Sequence, residues 1–314
     1  MRSIAVLLIA ATPALADVDA ALDGHVLPRI GALAEATAGL DAAARAGCEG
    51  LETSFDAAAD GWAGAAHLTL GPAEEGGRAR AIWFWPDDRD ATGRGLRLLA
   101  QQGQDAWTPD AIARASVAAR GLSGLERAIF EDAVPCPMTQ ALAADLAATA
   151  AAIEIGWQEV FADLMRTAGE AGNTRFLTPG EAEAALFTAL LGGLQFTADQ
   201  RLGRPMGTFA EPRPSRAEMR RSGRSLANVR TALRSLRELA RLLEAAPRTD
   251  AALARAIEIA DRLDDPVLAG VATPVGRLRV EALQTAVTEA GRVASEEIGD
   301  ALGVGAGFNA LDGD

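Results

Sequence analysis

The stretch ALAADLAATAAAIEIGWQEVFADL, residues 141–164, decides the fold class. Its large apolar residues are Leu142, Leu146, Ile153, Trp157, Val160, Phe161 and Leu164. They recur at steps of three, four or seven, which is the period of one face of an α-helix. Working outward, the same period returns on both sides. TPGEAEAALFTALLGGLQF (178–196) carries Leu186, Phe187, Leu190, Leu191 and Leu194 on one face. Thr178 stands at its N-cap, Pro179 in its first turn and Glu181 closes a capping box. From Ser215 to Ala246, Met219, Leu226, Val229, Leu233, Leu236 and Leu243 form a stripe opposite arginines and glutamates. Residues 251–263 and 275–302 repeat the pattern, and 19–45 with 49–68 read as a helix pair. No run alternates as a strand does.

Long amphipathic helices joined by short links build bundles. The expected class is all-α: two packed, four-helix-bundle-like helical bundles, with an irregular loop near residues 68–93. Any strand content is expected to be confined to that loop. The bundles are expected over residues 17–170 and 171–314, with the boundary near AGEAGNTRFLTPG (168–180). A second break, GRPMGTFAEPRPS (203–215), carries prolines that prevent regular helix.

Residues 1–16, MRSIAVLLIAATPALA, read as a secretory signal peptide: one charge at Arg2, a short apolar run, and the small-x-small site Ala14-Leu15-Ala16. The chain is therefore expected to be periplasmic or otherwise exported, with no transmembrane segment, since the run falls far short of the ~20 residues that span a bilayer. The chain has 30 basic residues, all arginine, and 43 acidic ones, for a net charge of −13. Such a surface is a poor general binder of nucleic acid or anionic membranes. The absence of lysine removes Schiff-base chemistry. Two cysteines, Cys48 and Cys136, most simply pair in an oxidising compartment; the alternative is two buried free thiols.

The stretch GLSGLERAIFED, residues 121–132, admits two readings. Ser123-x-x-Glu126 before an apolar run is the pattern of a capping box, with Gly121 ending the preceding helix. Equally, Glu126 can belong to a site. Zinc-protease chemistry finds little support, because the only histidines are His25 and His67 and no His-Glu-x-x-His occurs. His25 reads as a partly exposed helix residue, and His67 as a cap on the last carbonyls of a helix. RARAIWFWPDDRD (78–90) gathers Trp83, Phe84 and Trp85 between Arg78, Arg80, Asp87 and Asp88. It reads either as a loop pinned by tryptophans or as a cleft wall where charge meets aromatic surface. Phe308 and Leu311 are the residues that could dock the C-terminal tail.

HLTLGP (67–72), RARAIWFWPDDR (78–89), GLSGLERAIFED (121–132) and the C-terminal GFNALDGD together resemble the imelysin-like proteins, closest to their iron-regulated branch in Gram-negative bacteria. The resemblance implies an exported protein of two helical bundles with a site at their interface. It also implies a link to iron acquisition and a historical listing as a metallopeptidase. The family motif is Gly-x-His-x-x-Glu. Gly121 and Glu126 match it, but Ser123 stands at the histidine position, and a hydroxyl is a poor substitute for imidazole on a transition metal. The expected ligand-binding set is Glu126, Ser123, Gly121, His67, Arg80, Trp85 and Asp87, with Glu126 and His67 as candidate ligands for iron or another divalent metal held weakly. The expected function is a non-catalytic binding or accessory protein whose partners are iron-uptake components or a small ligand. A metallopeptidase and a protein-interaction scaffold are the alternatives.

Overall fold

The computed structural model describes residues 17–303. The stretch read as a signal peptide and the C-terminal GFNALDGD, with Phe308 and Leu311, lie outside the described residues. Among those described, every regular element is helical and there is no strand. Helix α1 covers 18–46 and passes through a π turn at Leu22–Val26. Then come α2 (Glu52–Ala65), the short α3 (Arg78–Ile82), α4 (Ala91–Gln101), the short α5 (Pro109–Ala113) and α6 (Gly121–Phe130). Helix α7 covers 136–166, with a π turn at Trp157–Phe161. Helix α8 covers 179–206, with a third π turn at Thr197–Leu202. The chain continues through α9 (Ser225–Leu243), α10 (Pro247–Arg262) and α11 (Pro274–Ala301).

Two bundles result. Helix α1 packs on α2 and α7, and α6 closes that group against α2 and α7. Helices α8, α9, α10 and α11 form the second group, and α2 meets α9 across the junction. Helix α9 shows why the sequence chooses this arrangement. Leu226, Val229, Leu233, Leu236 and Leu243 are buried along one face. On its outer side Arg237 and Arg241 both hold Asp250 of α10. Arg230 donates to the carbonyls of Ala260, Asp261 and Leu263, closing the C-terminus of α10 as a cationic cap. Cys48, just past α1, is disulfide-bonded to Cys136, the first residue of α7, with Cα atoms 5.6 Å apart.

Three local readings change. Val160 lies in the apolar stripe of α7 by spacing but is 57% exposed. The π turn widens the winding there, so Trp157 and Phe161 both face inward and Val160 faces out. Thr178 occupies the N-cap of α8 without a side-chain bond, and Glu181 reaches back to the amide of Leu177 instead. The helix read from Ser215 starts only at Ser225. Residues 217–224 form turns, with Met219 and Gly223 at positive φ, anchored where Ser225 Oγ donates to the Glu218 carbonyl.

Candidate functional site

Helix α6 opens at Gly121, and its first turn faces the segment leaving α3. Gly121 has φ +58°, and a Cβ there would stand 2.1 Å from the carbonyl oxygen of Ala81 and 2.3 Å from that of Ile82. Only glycine allows both the left-handed backbone and this approach. The approach lays residues 83–87 against α6. Ser123 then fixes them: its Oγ accepts from the amide of Phe84 at 2.9 Å and donates to the carbonyl of Phe84 at 3.0 Å. Gly121 therefore follows the C-cap of a short 3-10 turn at Val117–Ala119 and begins α6, and Ser123 caps nothing.

Glu126 does not cap the helix either. It is 3% exposed, and its Oε1 accepts from the amides of Arg221 and Ser222, both at 3.0 Å, and from Ser222 Oγ at 2.9 Å. These donors belong to the 217–224 turns that lead into the second bundle. The capping-box reading fails because the spacing it rests on is local, whereas both side chains are taken by partners remote in sequence. Burial raises the carboxyl of Glu126 above its ordinary value, opposed by the hydrogen bonds from Ser222 and Arg221 and by the Arg221 charge. Around it, Arg221 pairs with Glu131 and Arg224 with Asp60, each pair crossing between the bundles. Arg120 clamps Asp145 of α7 with two bonds at 2.7 and 2.9 Å, holding the start of α6.

Glu126, Ser123, Trp85 and Asp87 line one polar cleft of about 440 Å³. Its far wall is arginine-rich, with Arg213, Arg216, Arg220 and Arg221 facing Asp87, Asp88 and Glu126. Asp87 is largely committed to structure. Its two carboxyl oxygens accept from the amides of Ala91 and Thr92 at the start of α4. Burial would raise its pKa, but those bonds outweigh it and hold the carboxyl below the usual range. Asp88 pairs with Arg204 and Arg216, linking this loop to the end of α8.

His67 and Arg80 lie elsewhere. They line a second cavity of about 610 Å³ on the other side of the Trp83–Trp85 segment, and both of those tryptophans border both spaces. His25 is 1% exposed rather than partly exposed, and its Nε2 lies 2.9 Å from Nε2 of His67. His67 thus pairs with another imidazole instead of capping α2. Desolvation, with the Arg29 charge, lowers His25 to about 3, and His67 is lowered well below the usual imidazole value, again chiefly by burial. Ser222, Arg221 and Arg220 are site residues that sequence reasoning missed. The sequence carried a signal for them, since the Pro- and Gly-rich break at 203–215 runs on through Arg-Arg-Ser-Gly-Arg.

A zinc centre of the peptidase kind does not fit this donor set. The Ser123 hydroxyl is used in both directions by Phe84, Glu126 gives Oε1 to three donors, and no imidazole lines the cleft. Among the described residues no group of three or more His, Cys, Asp or Glu side chains is placed to hold a metal ion.

The model of the imelysin family (peptidase M75) matches residues 26–294. An imelysin-like protein from Psychrobacter arcticum 273-4 superposes with a TM-score of 0.76 at 20% identity, over 93% of this chain and 96% of that one. A "putative iron-regulated protein A precursor" from Parabacteroides distasonis ATCC 8503 superposes with a TM-score of 0.72 at 13% identity, over 92% and 97%. No curated protein matches the chain.

Proposed function

The chain belongs to the imelysin family, and from that premise we propose that it is an exported, non-catalytic binding or accessory protein of iron acquisition, with its site in the cleft between the bundles. One observation carries the reading: a buried carboxylate of the first bundle, Glu126, is held by donors of the second, in a cleft walled by arginines. A pocket built from two packed bodies is a common place for a small ligand. The iron link is supported by the family and by the name of one solved relative. Export is supported by the leader-like residues 1–16 and the Cys48–Cys136 disulfide.

The family listing as a peptidase favours the other reading, but the donors of a hydrolytic metal are not assembled around Glu126. The arginine wall favours an oxygen-rich anion, such as a carboxylate chelate of iron, over a bare cation. Calorimetric titration of ferric citrate and of ferrous ion into the wild type, Glu126→Gln and Arg220→Ala tests this. The expected result is saturable binding of the chelate, weakened about tenfold or more in Arg220→Ala and strengthened by loss of the like charge in Glu126→Gln, weak binding of the free ion, and no casein hydrolysis. Chelate binding unchanged in both variants would reject the cleft, and metal-dependent hydrolysis lost in Glu126→Gln would restore the peptidase.

A further inference from the structure

The larger cavity is the feature that the Glu126 cleft does not explain. Its walls are aromatic, from Trp62, Trp83, Trp85, Phe161, Phe176 and Phe196, with a floor of small residues from α2 and α8 that includes Gly192 and Gly193. Two ring pairs brace the walls edge to face, Trp85 on Phe196 and Phe161 on Phe176. A purely apolar cavity would need nothing more. This one is bordered by side chains whose polar nitrogens are left without partners.

Nine buried side-chain polar atoms lack a hydrogen bond among the described residues, and four of them belong to residues that line this cavity: Trp62 Nε1, Trp83 Nε1, His67 Nδ1 and Arg201 Nη2. All four residues are at least nine-tenths buried. These unpartnered nitrogens sit behind the walls of one hollow; three are N–H donors, and His67 Nδ1 donates or accepts according to its tautomer. Arg201 is the clearest case. Nε pairs with Glu218 at 2.8 Å and Nη1 reaches Thr197 Oγ1, which leaves Nη2 uncommitted. At the exposed side, Arg80 and Arg175 lie over the rings of Phe84 and Phe176, and neither forms an ion pair among the described residues. Among the described residues Glu74 is the one acidic side chain lining the cavity; it is exposed, and its Oε2 accepts from the amide of Gly71. Arg201 is neutralised by Glu218, but in a chain of net charge −13 the exposed Arg80 and Arg175 beside an aromatic hollow are a local reversal of sign.

The backbone points to the same place. Three π turns interrupt otherwise regular helices, and such turns are often kept at functional sites. The turn in α7 carries Phe161 and the turn in α8 carries Arg201, both in the cavity wall. The turn in α1 carries His25, which backs His67.

We propose that this cavity binds a flat, apolar organic anion, its ring system between the tryptophan and phenylalanine walls and its single anionic head taken by Arg80 and Arg175 at the open side. Aromatic walls suit a planar body, and exposed guanidinium groups suit a carboxylate or sulfonate. The proposal does not depend on the reading of the Glu126 cleft.

A matched pair of probes tests it: anilinonaphthalene sulfonate, and N-phenylnaphthylamine, which has the same body without the charge. Binding is followed by probe emission and by quenching of tryptophan fluorescence. The sulfonate is expected to bind one per chain and the neutral amine about tenfold more weakly or worse. Gly192→Leu fills the cavity from a helical position where a Cβ would meet nothing within 4 Å, and it is expected to weaken the sulfonate by about tenfold or more without lowering thermal stability. The exposed double change Arg80→Gln with Arg175→Gln, which leaves the core untouched, is expected to weaken the sulfonate and leave the amine unaffected. Equal binding of the two probes, binding indifferent to Gly192→Leu, or no binding of the sulfonate would each overturn the proposal.

Discussion

Glu126 shows how a residue can be visible in a sequence and its role still be hidden. Its spacing from Ser123 is that of a capping box, and its spacing from Gly121 is that of the family motif, so both readings rest on the same three residues. Folding decides between them through Ser222 and Arg221, some 95 positions away, which no local pattern reveals. The energetic consequence differs too. Losing a cap costs about 0.5–2 kcal/mol, whereas Glu126→Ala strands three donors in a buried junction and is expected to cost about 2–4 kcal/mol in urea denaturation. Glu126→Gln keeps an acceptor and is expected to cost far less. Because the carboxyl of Glu126 is raised, its folded form holds the proton to higher pH than the unfolded chain does. It therefore subtracts stability as pH rises from the ordinary carboxylate range through the raised value. The stability difference between wild type and Glu126→Gln should accordingly shift toward the glutamine as pH rises through that window. Gly121→Ala meets both a left-handed backbone and the Ala81 carbonyl, and is expected to cost about 3 kcal/mol or more, or to leave the protein unfolded. Melting the purified variant beside wild type decides this.

At the scale of elements, the periodicity of 141–164 and of α9 made the all-α class legible, because a buried stripe repeats wherever a helix must face a core. What periodicity could not show is where winding changes. Each π turn shifts the inward face by part of a turn, which is why Val160, on the core stripe by spacing, lies outside the core. Nor could it show that the α9 stripe runs past its helix: Met219 is buried with the rest, yet it precedes Ser225 in the turns that present Arg221 and Ser222. The disulfide was legible from count and compartment alone. It joins α1 to α7 over 88 positions, so reducing it or changing Cys48 and Cys136 to alanine is expected to cost about 4–5 kcal/mol at the chain-entropy limit, less where the unfolded state keeps structure. Urea denaturation with and without reductant measures it, and no change in midpoint would contradict it.

The whole molecule is two bundles joined mainly through α2 and α9 and through polar contacts around 217–224. The pairing of His25 with His67, 42 positions apart, lies near that junction, with Glu238 of α9 at 3.7 Å from His25 and Arg29 bound to the same carboxylate. Sequence offered no sign of the pair, since two isolated histidines carry no periodic signal. Both imidazoles are depressed in the fold, so the stability tied to their neutral forms is fully present above about pH 6.5 and is lost as pH falls toward the folded values. Each still-neutral imidazole contributes a slope of about 1.4 kcal/mol per pH unit below that point. His67→Gln should remove one such slope from a plot of unfolding free energy between pH 7 and 5, and an unaltered slope would contradict the buried neutral pair. Glu126 ties helix α6 to the 217–224 turns and does not cap its own helix. Peptide-level amide hydrogen exchange in wild type and Glu126→Ala tests it most directly. The account predicts exchange about tenfold faster or more in the peptide covering residues 217–224, with residues 121–130 little changed; acceleration confined to 121–130, with 217–224 unaffected, would contradict it.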